Sequence, residues 1–194
     1  MALIGVLALQ GAFAKHIAML ESIGVRAIEV RKPEELAICQ GLIMPGGEST
    51  TMKRQIEFIH LQDSLKEFSK KKPIFGTCAG LILMSHEIIA DPMIPFDIID
   101  VSVERNAFGR QHESFTVNLE AKLSQKPESI AAVFIRAPRI RHCGPEVEVL
   151  ACYEGEPVLV KQGFHLAAAF HPELTHHYSI HKYFASIVEK RAYV

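Results

Sequence analysis

Pro73-Ile74-Phe75-Gly76-Thr77-Cys78-Ala79-Gly80 decides how the chain reads. Pro73-Ile74-Phe75 is a short apolar run with the character of a buried strand, and Leu81 to about Ile89 reads as an apolar helix. Between them stands Gly-x-Cys-x-Gly, the form of a nucleophile elbow. A sharp strand-to-helix turn crowds the positions two residues to either side, where glycine fits. It aims the central side chain out of the sheet, near a helix N-terminus that favours a thiolate. The amide of Ala79 then stands where it can donate to an oxyanion. Taken alone, the same residues equally describe a tight turn around an inert buried cysteine.

Outward from the elbow, the N-terminal side repeats strand and helix. Leu3-Ile4-Gly5-Val6-Leu7-Ala8-Leu9 is apolar throughout, as strands covered on both faces are. Phe13, Ile17, Leu20 and Ile23 follow at helical spacing, and Gly24 ends that helix. Val25 to Val30 is a second strand, Pro33 opens a short helical turn, and Gly41-Leu42-Ile43-Met44 is a third strand. Pro45-Gly46-Gly47-Glu48-Ser49-Thr50-Thr51 then turns into a helix that Ser49 or Thr50 is placed to cap. This rhythm predicts a mostly parallel sheet with helices on both faces. Past the loop Asp91 to Phe96 the rhythm changes. Ile99–Glu104, Phe115–Leu119, Ala131–Ile135, Val147–Cys152, Pro157–Lys161 and Phe164–Phe170 read as strands, some antiparallel, before a closing helix from Ser179 to Lys190. One domain, residues 1–194, is expected.

Bulk composition narrows the function classes. The 194 residues are 48% apolar, with 21 Lys plus Arg against 22 Asp plus Glu, a formal charge of −1. That balance opposes a nucleic-acid footprint, which carries a basic excess, and opposes disorder. Four cysteines with no Cys-x-x-Cys pair do not describe a disulfide framework or a zinc site. No stretch approaches the roughly 18 apolar residues of a membrane span, and no signal peptide is legible, so a cytoplasmic protein is expected.

Two further segments bear on chemistry. In Phe170-His171-Pro172-Glu173, Pro172 biases His171 toward extended backbone, where His171 and Glu173 point the same way. The carboxylate can then orient the imidazole, and Cys78 completes a candidate Cys-His-Glu triad. By itself the pair more often describes a surface His and Glu at a strand end. Gly46-Gly47 lies at the carboxyl end of a strand, where open parallel sheets bind ligands, but no Gly-Lys-Ser/Thr follows to make a phosphate loop. Arg105 and Arg110 share a glycine-containing loop where a cation can hold a carboxylate, or simply face solvent. His177 and His181, four apart, have no third ligand nearby and read as exposed histidines rather than a metal site. Cys39, Cys143 and Cys152 read as packing.

Together, Gly-Gly-Glu-Ser, Gly-Thr-Cys-Ala-Gly and Phe-His-Pro-Glu resemble the class I, triad-type glutamine amidotransferases. Leu9-Gln10-Gly11, Val103-Glu104-Arg105-Asn106-Ala107-Phe108-Gly109-Arg110-Gln111 and Phe134-Ile135-Arg136-Ala137-Pro138 narrow the resemblance to the glutaminase subunits of pyridoxal phosphate synthase. It runs from Leu3 to about Phe184. Asp91 to Asp97 and the pair His176-His177 depart from the pattern. The resemblance implies a three-layer, flavodoxin-like α/β fold with a mostly parallel central sheet and antiparallel strands in the C-terminal half. It implies Cys78 as nucleophile, His171 as base and acid, Glu173 as its orienting partner, and the Gly47 and Ala79 amides as oxyanion hole. Gly46, Gly47, Glu48, Arg105, Ile135 and Arg136 match glutamine-binding positions, and Gln10 a position at the active-site edge. No cofactor and no metal are implied. The implied substrate is L-glutamine, and the implied partner is a pyridoxal 5'-phosphate synthase subunit receiving ammonia. The competing readings are a glutaminase feeding another acceptor or a different hydrolase on the same fold, and a non-catalytic binding or regulatory subunit.

Overall fold

In the computed structural model, which describes residues 2–105 and 114–192, the N-terminal strands lie side by side as the apolar runs predict. The strands are β1 (Leu3–Leu7), β2 (Arg26–Val30), β3 (Gly41–Met44) and β4 (Ile74–Thr77). They are joined by the helices α1 (Phe13–Ser22), α2 (Pro33–Ala37), α3 (Ser49–Phe58) and α4 (Gln62–Ser69). After α5 (Ala79–Met84) come β5 (Ser85–Ile88), β6 (Ile99–Glu104), β7 (Ser114–Ala121), β8 (Glu128–Ile135) and β9 (Arg139–Cys143). Then follow β10 (Glu148–Tyr153), β11 (Glu156–Gln162), β12 (His165–Ala168), a 3-10 turn at Pro172–Leu174 and α6 (Ser179–Ala192). Among the described residues, no helix is long and apolar enough to cross a membrane.

The main sheet has seven strands in the order β10-β11-β12-β4-β3-β1-β2. β12, β4, β3, β1 and β2 are mutually parallel, while β10 and β11 close one side antiparallel. β5-β6-β9 and β7-β8 form two smaller sheets. Alternation along β4 separates the helical layers. Phe75 packs its ring against His16 of α1 and His181 and Phe184 of α6. A side chain on the neighbouring Gly76 would strike Gly80 and Met84 of α5 on the other face. Helices therefore cover both faces, and one continuous apolar cluster runs through the main sheet, its helices and the smaller sheets.

Three local expectations are corrected. The apolar helix does not run from Leu81 to Ile89: it ends at Met84, and Ser85–Ile88 pairs parallel with β6. Cap geometry at α3 belongs to neither Ser49 nor Thr50, because the Glu48 carboxylate accepts from the Thr50 and Thr51 amides. Along α1 the fully buried face is His16, Met19 and Leu20, with Phe13, Ile17 and Ile23 flanking it half-buried.

Candidate active site

The site lies where β3, β4 and β12 end at their carboxyl termini, as expected of open parallel sheets. Thr77 finishes β4, and Cys78 turns the chain at φ +48°, a left-handed conformation unfavourable for a side-chain-bearing residue. The Cys78 amide donates to Ala168 O of β12 at 2.9 Å, which anchors the strained turn. A Cβ on Gly80 would lie 2.0 Å from Met44 O, and one on Gly76 would lie 2.6 Å from the Gly80 carbonyl carbon. Glycine at both flanks is thus a requirement of close backbone approach. The Cys78 thiol points toward Ile135 O at 4.0 Å.

His171 follows β12 and is tied to β8 by its amide, which donates to Val133 O at 2.8 Å. Glu173 reaches it by a different route from the one the sequence suggests. The backbone is not extended beyond His171: Pro172 starts a 3-10 turn, and the turn swings Glu173 back beneath the ring. The result is a 2.8 Å contact between His171 Nδ1 and Glu173 Oε1, with Glu173 only 4% exposed. With Nδ1 donating to the carboxylate, Nε2 is the nitrogen left for the thiol. Burial disfavours charge on His171, but hydrogen bonding and charge from Cys78 and Glu173 outweigh it and raise its pKa well above the ordinary value. Glu173 is lowered despite its burial, because His171 and His16 face it. Gly46 lies against this pair: a Cβ there would sit 2.3 Å from His171 Cε1 and 3.4 Å from Cys78 Cβ.

In front of the thiol is a cavity of about 210 Å³ lined by Gly47, Glu48, Ser49, Cys78, Ile82, Arg105, Ile135, Arg136 and His171. It falls below the roughly 300–1,000 Å³ of pockets for drug-sized ligands, a scale suited to a single amino acid. Arg105 donates to Asp91 Oδ2 at 2.8 Å and, at 3.3 Å each, to Glu48 Oε1 and Thr50 Oγ1. Glu48 is held at about 2, mainly by the Thr51 hydroxyl. Arg136 is exposed, at φ +43°, and has no carboxylate partner among the described residues. Gln10 lies at the edge, donating from Nε2 to Glu48 O at 2.8 Å. Ala79 is buried at the start of α5, behind the lining.

The residues singled out in the sequence are therefore brought to one place. Arg105 is described, whereas Asn106 to Gln111 and the second loop arginine, Arg110, lie outside the described residues. His177 and His181 do not share an exposed helix face: His177 precedes α6, and His181 is fully buried. Cys39 is buried and its thiol is pushed up to about 11 by burial, but Cys152 is exposed and is not packing. Sequence reasoning missed the roles of Asp91 and His16, took Thr50 only as a helix cap, and took His181 as exposed. His16 had a signal, a histidine on the buried face of an apolar helix.

With this geometry in place, similarity to known proteins decides the family. Residues 6–190 match the SNO glutamine amidotransferase family. The chain belongs to that family. As a glutamine amidotransferase it is 49% identical over 188 residues to "Pyridoxal 5'-phosphate synthase subunit PdxT" of Thermosipho africanus (strain TCF52B), covering 96% of this chain and 99% of the relative. A protein of the same name from Shouchella clausii (strain KSM-K16) is 49% identical over 190 residues, covering 97% and 96%. A solved structure titled "Crystal structure of glutamine amidotransferase" superposes with a TM-score of 0.90 at 45% identity, covering 96% of this chain and 98% of that one. "Structure of PurLQS from Thermotoga maritima" aligns at TM-score 0.68 and 18% identity over 98% and 99%, which shows the fold alone.

Proposed function

We propose that this glutamine amidotransferase hydrolyses L-glutamine to L-glutamate and ammonia through Cys78, His171 and Glu173. The observation that carries the reading is the strained Cys78 elbow facing a buried His171–Glu173 pair, contact distance 2.8 Å, over a small cavity with two arginines. The Cys78 thiolate attacks the side-chain amide carbon of glutamine, forming a C–S bond and a tetrahedral oxyanion. The Gly47 and Ala79 amides receive that oxyanion, and one such donor contributes roughly 3 kcal/mol. His171, as imidazolium, gives its proton to the amide nitrogen, the C–N bond breaks and ammonia leaves. A glutamyl thioester remains on Cys78. His171 then takes a proton from water, whose oxygen attacks the thioester carbon. The C–S bond breaks, and glutamate departs.

Binding follows from the lining. Arg105 and Arg136 supply cations for the α-carboxylate, and Glu48 an acceptor for the α-ammonium. Gly46 leaves room for the His171 ring, and Gln10 braces the Glu48 backbone from the edge. The ammonia passes to a pyridoxal 5'-phosphate synthase subunit, the assembly named for the relatives at 49% identity. Glutamate release by the full chain, with that synthase subunit present, tests the reading. Release abolished by Cys78→Ala supports it, and full activity in that variant overturns it.

A further inference from the structure

Behind Glu173, on the side away from the thiol, two more histidines are entirely buried. His16 of α1 places Nε2 3.3 Å from Glu173 Oε2, the oxygen that His171 does not use. Its other nitrogen, Nδ1, is 3.0 Å from His181 Nε2 of α6. Thr77 Oγ1 of β4 is 3.4 Å from His16 Nε2. Among the described residues, Glu173 Oε2 forms no hydrogen bond, so the 3.3 Å approach of His16 Nε2 is its one polar contact, and His181 Nδ1 has no partner.

These contacts settle where the protons sit. Burial lowers His16 to about 4 and His181 to about 3, so both rings are neutral near pH 7 and carry one proton each. A proton on His181 Nδ1 would be a buried donor without an acceptor, which is costly, so it sits on Nε2 and is donated to His16 Nδ1. His16 must then carry its proton on Nε2, facing Glu173 Oε2 and the Thr77 hydroxyl. Of these the carboxylate is the stronger acceptor. The opposite tautomer would set the His16 lone pair against a buried carboxylate oxygen.

From this we infer that His16, fixed in its donor tautomer by His181, is a positioning residue that turns its Nε2–H dipole toward the second oxygen of Glu173. The carboxylate, hydrogen-bonded at Oε1 and faced by the His16 N–H dipole at Oε2, keeps the His171 ring aimed at Cys78. The inference rests on the glutaminase reading of Cys78, His171 and Glu173. The groups facing His16 are Glu173 and His171 from the turn after β12, Thr77 and Phe75 from β4, and His181 from α6.

Two measurements test it. In a long-range proton–nitrogen spectrum of the full chain, unmodified, His16 is expected protonated at Nε2 and bare at Nδ1. A proton on Nδ1, or an imidazolium near pH 7, overturns the inference and needs no variant to fold. In the complex with the synthase subunit, His16→Phe is expected to lower kcat for glutamate release about tenfold, the weak end of what a polar contact with a charged group is worth, with KM for glutamine little changed. The acid limb of its pH profile should move to higher pH, because Glu173 loses a donor. His16→Gln, which keeps an N–H donor, should recover most of the rate. Equal losses in both variants with an unmoved acid limb, or no loss in either, would overturn the inference. Cys78→Ala assayed alongside separates the two readings: activity surviving there refutes the glutaminase chemistry itself, whatever the His16 variants do.

Discussion

Lowering the pH from 7 to 5 should destabilise this protein through three histidines the fold buries uncharged. Burial holds His16 at about 4, His181 at about 3 and His165 at about 4, against an ordinary 6.5. In the unfolded chain each binds nearly a full proton at pH 5; in the folded chain each stays almost bare. Stability is therefore present above the ordinary value and is lost as pH falls through it. Each histidine contributes a loss of about 2 kcal/mol over this interval, about 6 kcal/mol together. His171 works the other way. Its raised value means that its stabilisation is complete below 6.5 and lost as pH rises, which returns about 1 kcal/mol at pH 5. Exposed His86, raised by its hydrogen bond to Asp97, acts in the same direction as His171. The net loss is about 5 kcal/mol, and with a urea slope of about 2 kcal/mol/M it is a fall of about 2.5 M in the unfolding midpoint. Urea titrations of the full chain at the two pH values measure it. A midpoint at pH 5 equal to or above that at pH 7 would refute the claim that these rings are buried neutral.

Other perturbations follow from the site. Gly80→Ala sets a Cβ 2.0 Å from Met44 O, and the overpacking should cost about 3 kcal/mol, read as a lowered thermal midpoint. Arg105→Gln removes one cavity cation and should raise KM for glutamine about tenfold with kcat little changed, as expected for uniform binding. Glu48→Ala strips the cap from α3 and should cost about 1 kcal/mol in chemical unfolding.

What was legible in the sequence depends on how local its cause is. The parallel strands β1, β3 and β4 are continuous apolar runs, because helices cover both their faces, and they stood out, whereas the edge strand β2, with Arg26 and Glu29 exposed, was legible from the repeating rhythm. Ser85–Ile88 did not: it follows α5 with no breaker, and its middle residues, His86 and Glu87, are exposed. Arg139–Cys143 was hidden likewise, since β9 carries Arg139, Arg141 and His142 among its five residues at the edge of a small sheet. Gly76 announced the elbow because the atoms it would strike belong to Gly80 and Met84 just beyond the turn, whereas Gly80 is required by Met44 O on the neighbouring β3. The capping Glu48 was obscured by the commoner capping residues just after it. Asp91 holds Arg105 across a fold the local sequence does not describe. His16 and His181 lie 165 positions apart, and each alone is a histidine on an apolar helix face. Only their meeting beneath Glu173 gives them a role.

The central claim is that Cys78 carries the glutamyl group. Rapid acid quenching of the full chain with its synthase partner during glutamine turnover, followed by peptide mass spectrometry, tests it directly. A glutamyl adduct on the peptide containing Cys78, absent in Cys78→Ala, is the predicted result. Sustained glutamate release with the adduct on another residue, or undiminished release by Cys78→Ala, would contradict the account.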